Sequence, residues 1–163
     1  MQKNILVYFA AAIRGDRAMA NLVLDLINFI RQDLSIIVLT EHLASSDPNL
    51  VLATKLGKEK INLTVVDIEN QDITWLDSAT HFIAEVSGAS TGTGREVEYA
   101  RVKEHFGKVP AKVLCIYQID KEAQVSAMIR GMSRESYPNV QVESYKDLFE
   151  AKDLIRDFLR SYL

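Results

Sequence analysis

Five short apolar runs, separated by longer amphipathic segments, are the feature that most limits how this chain can fold. The first run, NILVYFA at residues 4–10, is continuous rather than alternating. A continuous apolar run is typical of a strand that is buried on both faces of a parallel sheet. We predict four further strands at residues 35–40, 80–86, 112–118 and 140–143.

The segments between these runs have the spacing of helices. Residues 16–32 place an apolar residue every three or four positions, which predicts a helix with one buried face. Asp47 before Pro48 is typical of a helix start, and that helix should end near Gly57. We predict further helices at residues 95–106, 122–132 and 147–162, the last of them capped by Asp147 and Glu150.

Residues 62–78 are ambiguous in the sequence. The string LTVVDI has the composition of a strand, whereas Thr64 and Asp67 have the spacing of a capping box at a helix start. Ile68, Asp72 and Trp75 then follow at helical spacing. We therefore favour a helix for this segment.

Alternation of strands and helices predicts one α/β domain over residues 1–163, with a parallel sheet and right-handed crossovers. The expected architecture is a flavodoxin-like (Rossmann-like) three-layer sandwich with a five-stranded parallel sheet in the order 2-1-3-4-5. Such sheets bind ligands beyond the carboxyl ends of their strands, at the switch point between strands 1 and 3. That rule selects the loops at residues 11–16 and 87–94 as the expected site.

Composition limits the class of partner. The net charge is −3 and the basic residues are interspersed with acidic ones, so we expect no nucleic-acid partner. No run approaches the roughly 20 apolar residues of a membrane span, so we expect no membrane partner and a cytoplasmic location. The single cysteine, Cys115, lies in the apolar run KVLCIY and should be a buried thiol. We expect no metal and no cofactor, because the chain lacks paired histidines.

The loop at residues 87–94 has the composition of a site for an anion or a ribose phosphate. Its glycines, serine and threonines let the backbone approach a ligand and present N–H and hydroxyl groups to it. We predict that the next helix opens close to Glu96, so that its N-terminus adds partial positive charge. A carboxylate there could equally serve only to complement the helix dipole.

Several strings along the chain, taken together, resemble the nucleoside 2-deoxyribosyltransferase superfamily. The similarity is greatest to its 2′-deoxynucleoside 5′-phosphate N-hydrolases and extends from residue 8 to residue 131. The strings, in chain order, are YFAAAIRGDR, VLTEHLA, QDITWLDSATHFIAEVS, STGTGRE and SAMIRG.

The resemblance implies cleavage of an N-glycosidic bond, with Glu96 and Asp72 as the catalytic carboxylates. Glu96 would attack or stabilise C1′ of the deoxyribose, where a fixed anion lowers the energy of an oxocarbenium-like transition state. Asp72 would hold the sugar hydroxyl, orient Glu96 or protonate the leaving base. For Asp72, the alternative is a solvated carboxylate on a helix.

The resemblance also implies the residues that bind substrate. Tyr8 would lie beside the sugar, or be a core tyrosine at a strand end. His42 would approach the nucleobase, or be a loop histidine bonded to the backbone. Ser126 would reach the active site of a neighbouring subunit, which implies a homodimer with composite sites. The remaining positions, mostly expected around the phosphate, are Ile13, Arg14, Gly15, Ser90, Gly92 and Gly94.

Three positions depart from the family pattern. The loop after strand 1 usually reads G-S-I-R-G, whereas this chain has Ala11 and Ala12, so one serine that holds phosphate is missing. An aromatic residue usually precedes the catalytic glutamate, and here that residue is Arg95. Arg95 could contact phosphate or base, or could be a solvent-facing residue of the first helical turn.

We therefore expect an enzyme that hydrolyses 2′-deoxynucleoside 5′-monophosphates to free base and 2-deoxyribose 5-phosphate. The alternative reaction is base exchange on unphosphorylated deoxynucleosides, which the change at Ala12 favours. A non-catalytic nucleotide sensor on the same fold is a third reading. The presence of both Glu96 and Asp72 argues against it, because a binding module has no need of an anion below C1′.

Overall fold

A five-stranded parallel sheet forms the centre of the protein. The computed structural model describes residues 5–12, 17–132 and 135–160. The strands are β1 (Leu6–Ala11), β2 (Ile37–Val38), β3 (His81–Glu85), β4 (Lys112–Gln118) and β5 (Val140–Tyr145). Their order is β2-β1-β3-β4-β5 and all pairs are parallel, which confirms the predicted flavodoxin-like sheet.

Across the described residues, six α-helices and several short 3₁₀ turns surround the sheet, and all but the last helix lie between strands. The α-helices are α1 (Arg17–Asn28), α2 (Pro48–Lys55), α3 (Val65–Ser78), α4 (Thr91–Val102), α5 (Ala127–Arg130) and α6 (Leu148–Arg160). A π-helical turn at Phe29–Asp33 continues α1. The 3₁₀ turns are Glu41–Ala44, Lys60–Asn62, Lys103–Phe106 and Ile119–Gln124.

The ambiguous segment is a helix, as predicted. The Thr64 side chain accepts a hydrogen bond from the Asp67 N–H, and the Asp67 carboxylate accepts one from the Thr64 N–H. This reciprocal cap satisfies two N–H groups that have no partner inside the helix, and it outweighs the strand-like composition of the segment. Asp47 caps α2 in the predicted way, by accepting from the Leu50 N–H at 3.1 Å.

Two predicted helices differ from those observed. The helix after β3 begins at Thr91 rather than near Glu96, because the Ser90 hydroxyl caps it by accepting from the Thr93 N–H. The predicted helix at residues 122–132 is instead a 3₁₀ turn followed by the four-residue α5. The Ser126 hydroxyl accepts from the Met128 N–H and starts a new helix at that point. Strand β2 is also shorter than predicted, with two residues.

The sheet has one apolar layer on each face. Val7, Phe9 and Ile83 face a layer that includes α1 and α6. Tyr8 and Phe82 face the opposite layer, which includes α3 and α4, and the predicted buried thiol of Cys115 lies there too. Because side chains alternate along a strand, the pleat of β1 directs Tyr8 toward α3 and α4. In the described part of the chain, no helix is long and apolar enough to cross a membrane.

A buried lysine holds the carboxyl end of α3. The Lys103 side chain is fully buried, and its Nζ donates to the carbonyls of Leu76 at 2.5 Å and Ala79 at 2.6 Å, with a longer bond to Asp77 at 3.3 Å. These carbonyls have no partner further along the helix, so the ammonium replaces the missing N–H groups. Burial lowers the pKa of Lys103 to about 8.

Replacing this lysine should destabilise the fold. Lys103→Met keeps the aliphatic stem but leaves the carbonyls of Leu76 and Ala79 without their donor. We expect a loss of about 2 kcal/mol in the free energy of unfolding, measured by urea denaturation. Lys108→Met is the matched control, since Lys108 makes an exposed ion pair with Asp77 and such pairs are worth about 0–1 kcal/mol. Equal losses in the two variants would contradict the role given to Lys103.

Candidate active site

A cavity of about 720 Å³ opens at the carboxyl end of β1, where the fold predicts a ligand site. One wall is formed by β1 from Tyr8 onward, including Ala12 beyond its end. The turn at Glu41–Ala44 and α2 form a second wall. The rest of the cavity lining comes from Asp72 of α3, Glu96 of α4 and the loop residues Ala89 and Ser90.

Tyr8 and two carboxylates meet in this cavity. The Tyr8 hydroxyl donates to Glu96 Oε1 at 2.7 Å. The Asp72 carboxylate also interacts with this hydroxyl, from the α3 side. Glu96 is the sixth residue of α4 and so lies in its second turn. The dipole acts mainly within the first turn, so complementing it does not explain this carboxylate.

Burial alters the ionisation of all three groups. It raises the pKa of Glu96 to about 7, with the negative charge of Asp72 adding to the effect. It raises the pKa of Asp72 to about 6, and the pKa of Tyr8 is raised far above its usual value. The tyrosine therefore stays a hydrogen-bond donor, while the two carboxyls share part of a proton at neutral pH, and Glu96 is the more readily protonated of the two.

His42 lies at another wall of the cavity. Its ring is buried and lies 5.3 Å, centroid to centroid, from the ring of Trp75. Burial, assisted by the charge of Lys55, lowers the pKa of His42 to about 4, so the imidazole is neutral at pH 7. Among the described residues, its buried Nδ1 has no hydrogen-bond partner.

The other predicted binding residues are only partly brought together. Ser90 lines the cavity, whereas Gly92 and Gly94 do not, because both belong to the first turn of α4. Ser126 lines a second cavity of about 670 Å³, which shares Ala89 and Ser90 with the first. Ile13, Arg14 and Gly15 lie outside the described residues.

Arg95 pairs with a glutamate that the sequence analysis did not select. Its guanidinium Nη2 lies 2.6 Å from Glu69 Oε1 of α3. Arg95 faces solvent, as in the second of the two alternatives, but as the fifth residue of α4 it lies beyond the first turn. The sequence offered one signal that could have selected Glu69: it precedes Asp72 by three residues and therefore shares a helix face with it.

A buried carboxyl also fixes the start of the loop after β3. Glu85 accepts hydrogen bonds from the backbone N–H and hydroxyl of Ser87 and, at 2.8 Å, from the Tyr145 hydroxyl. The Ser87 hydroxyl in turn accepts from the Gln118 N–H at 2.7 Å. Glu85 does not line the cavity, and it acts on the site only through the position of this loop. Over the described ranges, no three His, Cys, Asp or Glu side chains cluster as a metal site would require.

The sequence and the fold are similar to those of known nucleotide-cleaving proteins. A Nematostella vectensis protein assigned to the 2′-deoxynucleoside 5′-phosphate N-hydrolases is 32% identical over 157 residues, which cover 95% of this chain and 94% of that protein. The Homo sapiens 5-hydroxymethyl-dUMP N-hydrolase is 31% identical over 89% of this chain and 79% of its own length. The solved structure of Clostridium botulinum CMP N-glycosidase matches with a TM-score of 0.60 and 17% identity, covering 93% of this chain and 98% of that one. No protein-family model matches the sequence.

The hydrogen bond from Tyr8 should control the ionisation of Glu96. In Tyr8→Phe the ionised carboxylate loses its donor, so we expect the pKa of Glu96 to rise by roughly one unit. The pKa can be followed by carboxyl ¹³C NMR across a pH titration. Tyr99→Phe is the control. It also removes a tyrosine hydroxyl, but that hydroxyl belongs to α4 and donates to Asp77 rather than to Glu96. If Tyr8→Phe leaves the Glu96 titration unchanged, the hydrogen bond does not have the role assigned to it.

Proposed function

The chain belongs to the 2′-deoxynucleoside 5′-phosphate N-hydrolase family, and on that premise we propose the reaction that it catalyses. It hydrolyses the N-glycosidic bond of 2′-deoxynucleoside 5′-monophosphates, with free nucleobase and 2-deoxyribose 5-phosphate as products. The observation that carries this proposal is the meeting of Tyr8, Asp72 and Glu96 in one cavity at the carboxyl end of β1.

The two carboxylates divide the chemistry between them. Glu96, ionised, attacks C1′ of the deoxyribose while the bond from C1′ to the base nitrogen breaks, and the electron pair of that bond goes to the base. Asp72, protonated, gives its proton to the departing base. Water then attacks C1′ of the sugar ester, passes a proton back to the ionised Asp72 and releases the Glu96 carboxylate. This reactive form of the pair, with the proton on Asp72 and with Glu96 ionised, is the less populated one, because the pKa of Glu96 is the higher of the two.

Binding of the substrate falls to the surrounding walls. Ser90 and the backbone at the start of α4 contact the 5′-phosphate, together with Ile13, Arg14 and Gly15, which the family resemblance assigns to this role. Gly92 contributes its backbone N–H at the start of that helix, whereas the N–H of Gly94 is already bonded to the Ser90 carbonyl. Tyr8 lies against the sugar. His42, neutral and with Nδ1 free, faces the nucleobase.

A second reaction has one observation in its favour. Ala12 lines the cavity at the position where the family usually has a serine that holds phosphate. Weaker phosphate binding favours unphosphorylated deoxynucleosides, with a second base in place of water as the acceptor. The alternative function is therefore a nucleoside 2-deoxyribosyltransferase that uses the same Glu96.

The active site is completed by a second subunit. Ser126 does not line the first cavity of its own chain, but lines the adjacent one beyond Ser90. We propose that it reaches the cavity of a neighbouring subunit in a homodimer, as the resemblance implies, so that each site takes residues from both chains.

One assay separates the candidate reactions. The protein is incubated with deoxynucleoside monophosphates, with the matching deoxynucleosides, and with the deoxynucleosides plus an acceptor base. Release of base from monophosphates alone supports the hydrolase, whereas base exchange between nucleosides supports the transferase. If no base is released or exchanged, both proposals fail and a binding module is favoured.

Glu96→Ala tests, in the same assay, whether Glu96 is the nucleophile. We expect turnover to fall by more than a thousandfold, corresponding to about 4 kcal/mol of transition-state stabilisation. Glu104→Ala is the control, since Glu104 is exposed in the turn that follows α4. Activity within tenfold of the wild type in Glu96→Ala would rule out Glu96 as the nucleophile.

Composite sites can be tested by mixing two inactive subunits. Glu96→Ala and Ser126→Ala each damage every site of their own homodimer, but a mixed dimer contains one site with both native residues. Statistical exchange of subunits should therefore restore about a quarter of wild-type activity. If each chain forms its own site, the mixture gives only the mean of its two parents.

A further inference from the structure

An ion pair spans a narrow cleft behind the two catalytic carboxylates. The cleft, of about 180 Å³, lies between α3 and α4 and is lined by both Asp72 and Glu96. Arg95 and Glu69 also line it, and their charged atoms are 2.6 Å apart. The two carboxylates therefore have the substrate cavity on one side and this ion pair on the other.

Each member of the ion pair lies beside a different carboxylate. Glu69 precedes Asp72 by one helical turn on α3, and Arg95 directly precedes Glu96 on α4. The positive charge is thus linked to the proposed nucleophile, and the negative charge to the proposed acid. The pair joins α3 to α4 beside both carboxylates.

We propose that Arg95 and Glu69 are positioning residues, which shift the shared proton away from Glu96 and toward Asp72. This inference rests on the proposed function, in which Glu96 is the nucleophile and Asp72 the acid. Of the two ways to place one proton on two carboxyls, only this arrangement supports that chemistry.

The electrostatic effects of the pair have the required signs. The positive charge of Arg95 lowers the pKa of Glu96. The negative charge of Glu69 raises the pKa of Asp72. An ion pair has no net charge, so it changes where the proton lies with little effect on the total charge of the site.

The other described groups that face the carboxylates do not supply this bias. The Tyr8 hydroxyl, from β1, favours the ionised form of both carboxyls and therefore does not choose between them. Across the cavity His42 is neutral at pH 7, and Lys60 pairs with Asp47 at 2.6 Å.

Opposite shifts of the pH profile are the signature of this arrangement. In Arg95→Gln, Glu96 loses a positive neighbour and Glu69 is left unpaired beside Asp72, so both pKa values rise. In Glu69→Gln, Asp72 loses a negative neighbour and Arg95 is left unpaired beside Glu96, so both pKa values fall. The pH profile of kcat/KM for base release should move by about half a pH unit to higher pH in the first variant and to lower pH in the second.

Further variants separate this role from a structural one. The maximum of kcat/KM should fall by up to about threefold in each single variant, while the double variant gives a broader profile centred near that of the wild type. Arg95→Lys keeps the charge and should keep the profile. Lys108→Gln removes another ion pair to α3 and should leave the profile in place. Because Arg95 is largely exposed, the shifts should shrink in high salt.

A carboxyl ¹³C NMR titration of Glu96 and Asp72 tests the inference without any turnover. Opposite shifts of these pKa values in Arg95→Gln and Glu69→Gln support it, whatever the substrate proves to be. A uniform loss of activity across pH, with unshifted carboxyl titrations, would overturn it and leave the proposed reaction intact. Absence of base release from the wild type would instead overturn the proposed reaction.

Discussion

The hydrogen bond from Tyr8 to Glu96 joins β1, beside the centre of the sheet, to the helix that carries this carboxylate. Tyr8 is buried, its ring stacks on Phe82 of β3 with the centroids 5.6 Å apart, and only its hydroxyl reaches the cavity. A ring held in this way cannot withdraw its donor, so the cost of burying Glu96 is partly offset wherever the proton lies. The rest of the site is arranged around this fixed point.

The two helices that carry the carboxylates are themselves tied together at three levels. The Arg95–Glu69 ion pair lies at one end, the bond from the Tyr99 hydroxyl to Asp77 lies further along, and the buried Lys103 ammonium holds the last carbonyls of α3. Because strands β1 and β3 are adjacent and parallel, α3 and α4 lie side by side on one face of the sheet. A relative shift of these helices would separate Asp72 from Glu96, and the three contacts oppose such a shift.

The parts of the fold that depend on short-range pattern could be predicted from the sequence. Continuous apolar runs identified the strands, and Thr64 with Asp67 identified the start of α3, because a capping box is a local interaction. The start of α4 was misplaced, since glycines at positions 92 and 94 are typical of a loop, while one hydroxyl from Ser90 is enough to begin the helix. The Arg95–Glu69 pair could not be predicted from either helix alone, because it depends on how α3 and α4 pack.

The earlier start of α4 changes how a phosphate would be recognised. The Thr93 N–H is taken by the Ser90 hydroxyl and the Gly94 N–H by the Ser90 carbonyl, so neither is available to a ligand. The donors left at this helix start are the N–H groups of Thr91 and Gly92, beside the part of Ser90 that lines the cavity. The loop after β1 comes close to the loop after β3, since the Ala12 Cβ is 3.2 Å from where a Cβ on Gly88 would lie. A phosphate bound at the proposed site would therefore meet a helix start and the loop after β1, and we expect the choice between nucleotide and nucleoside to depend on the place where these two loops meet.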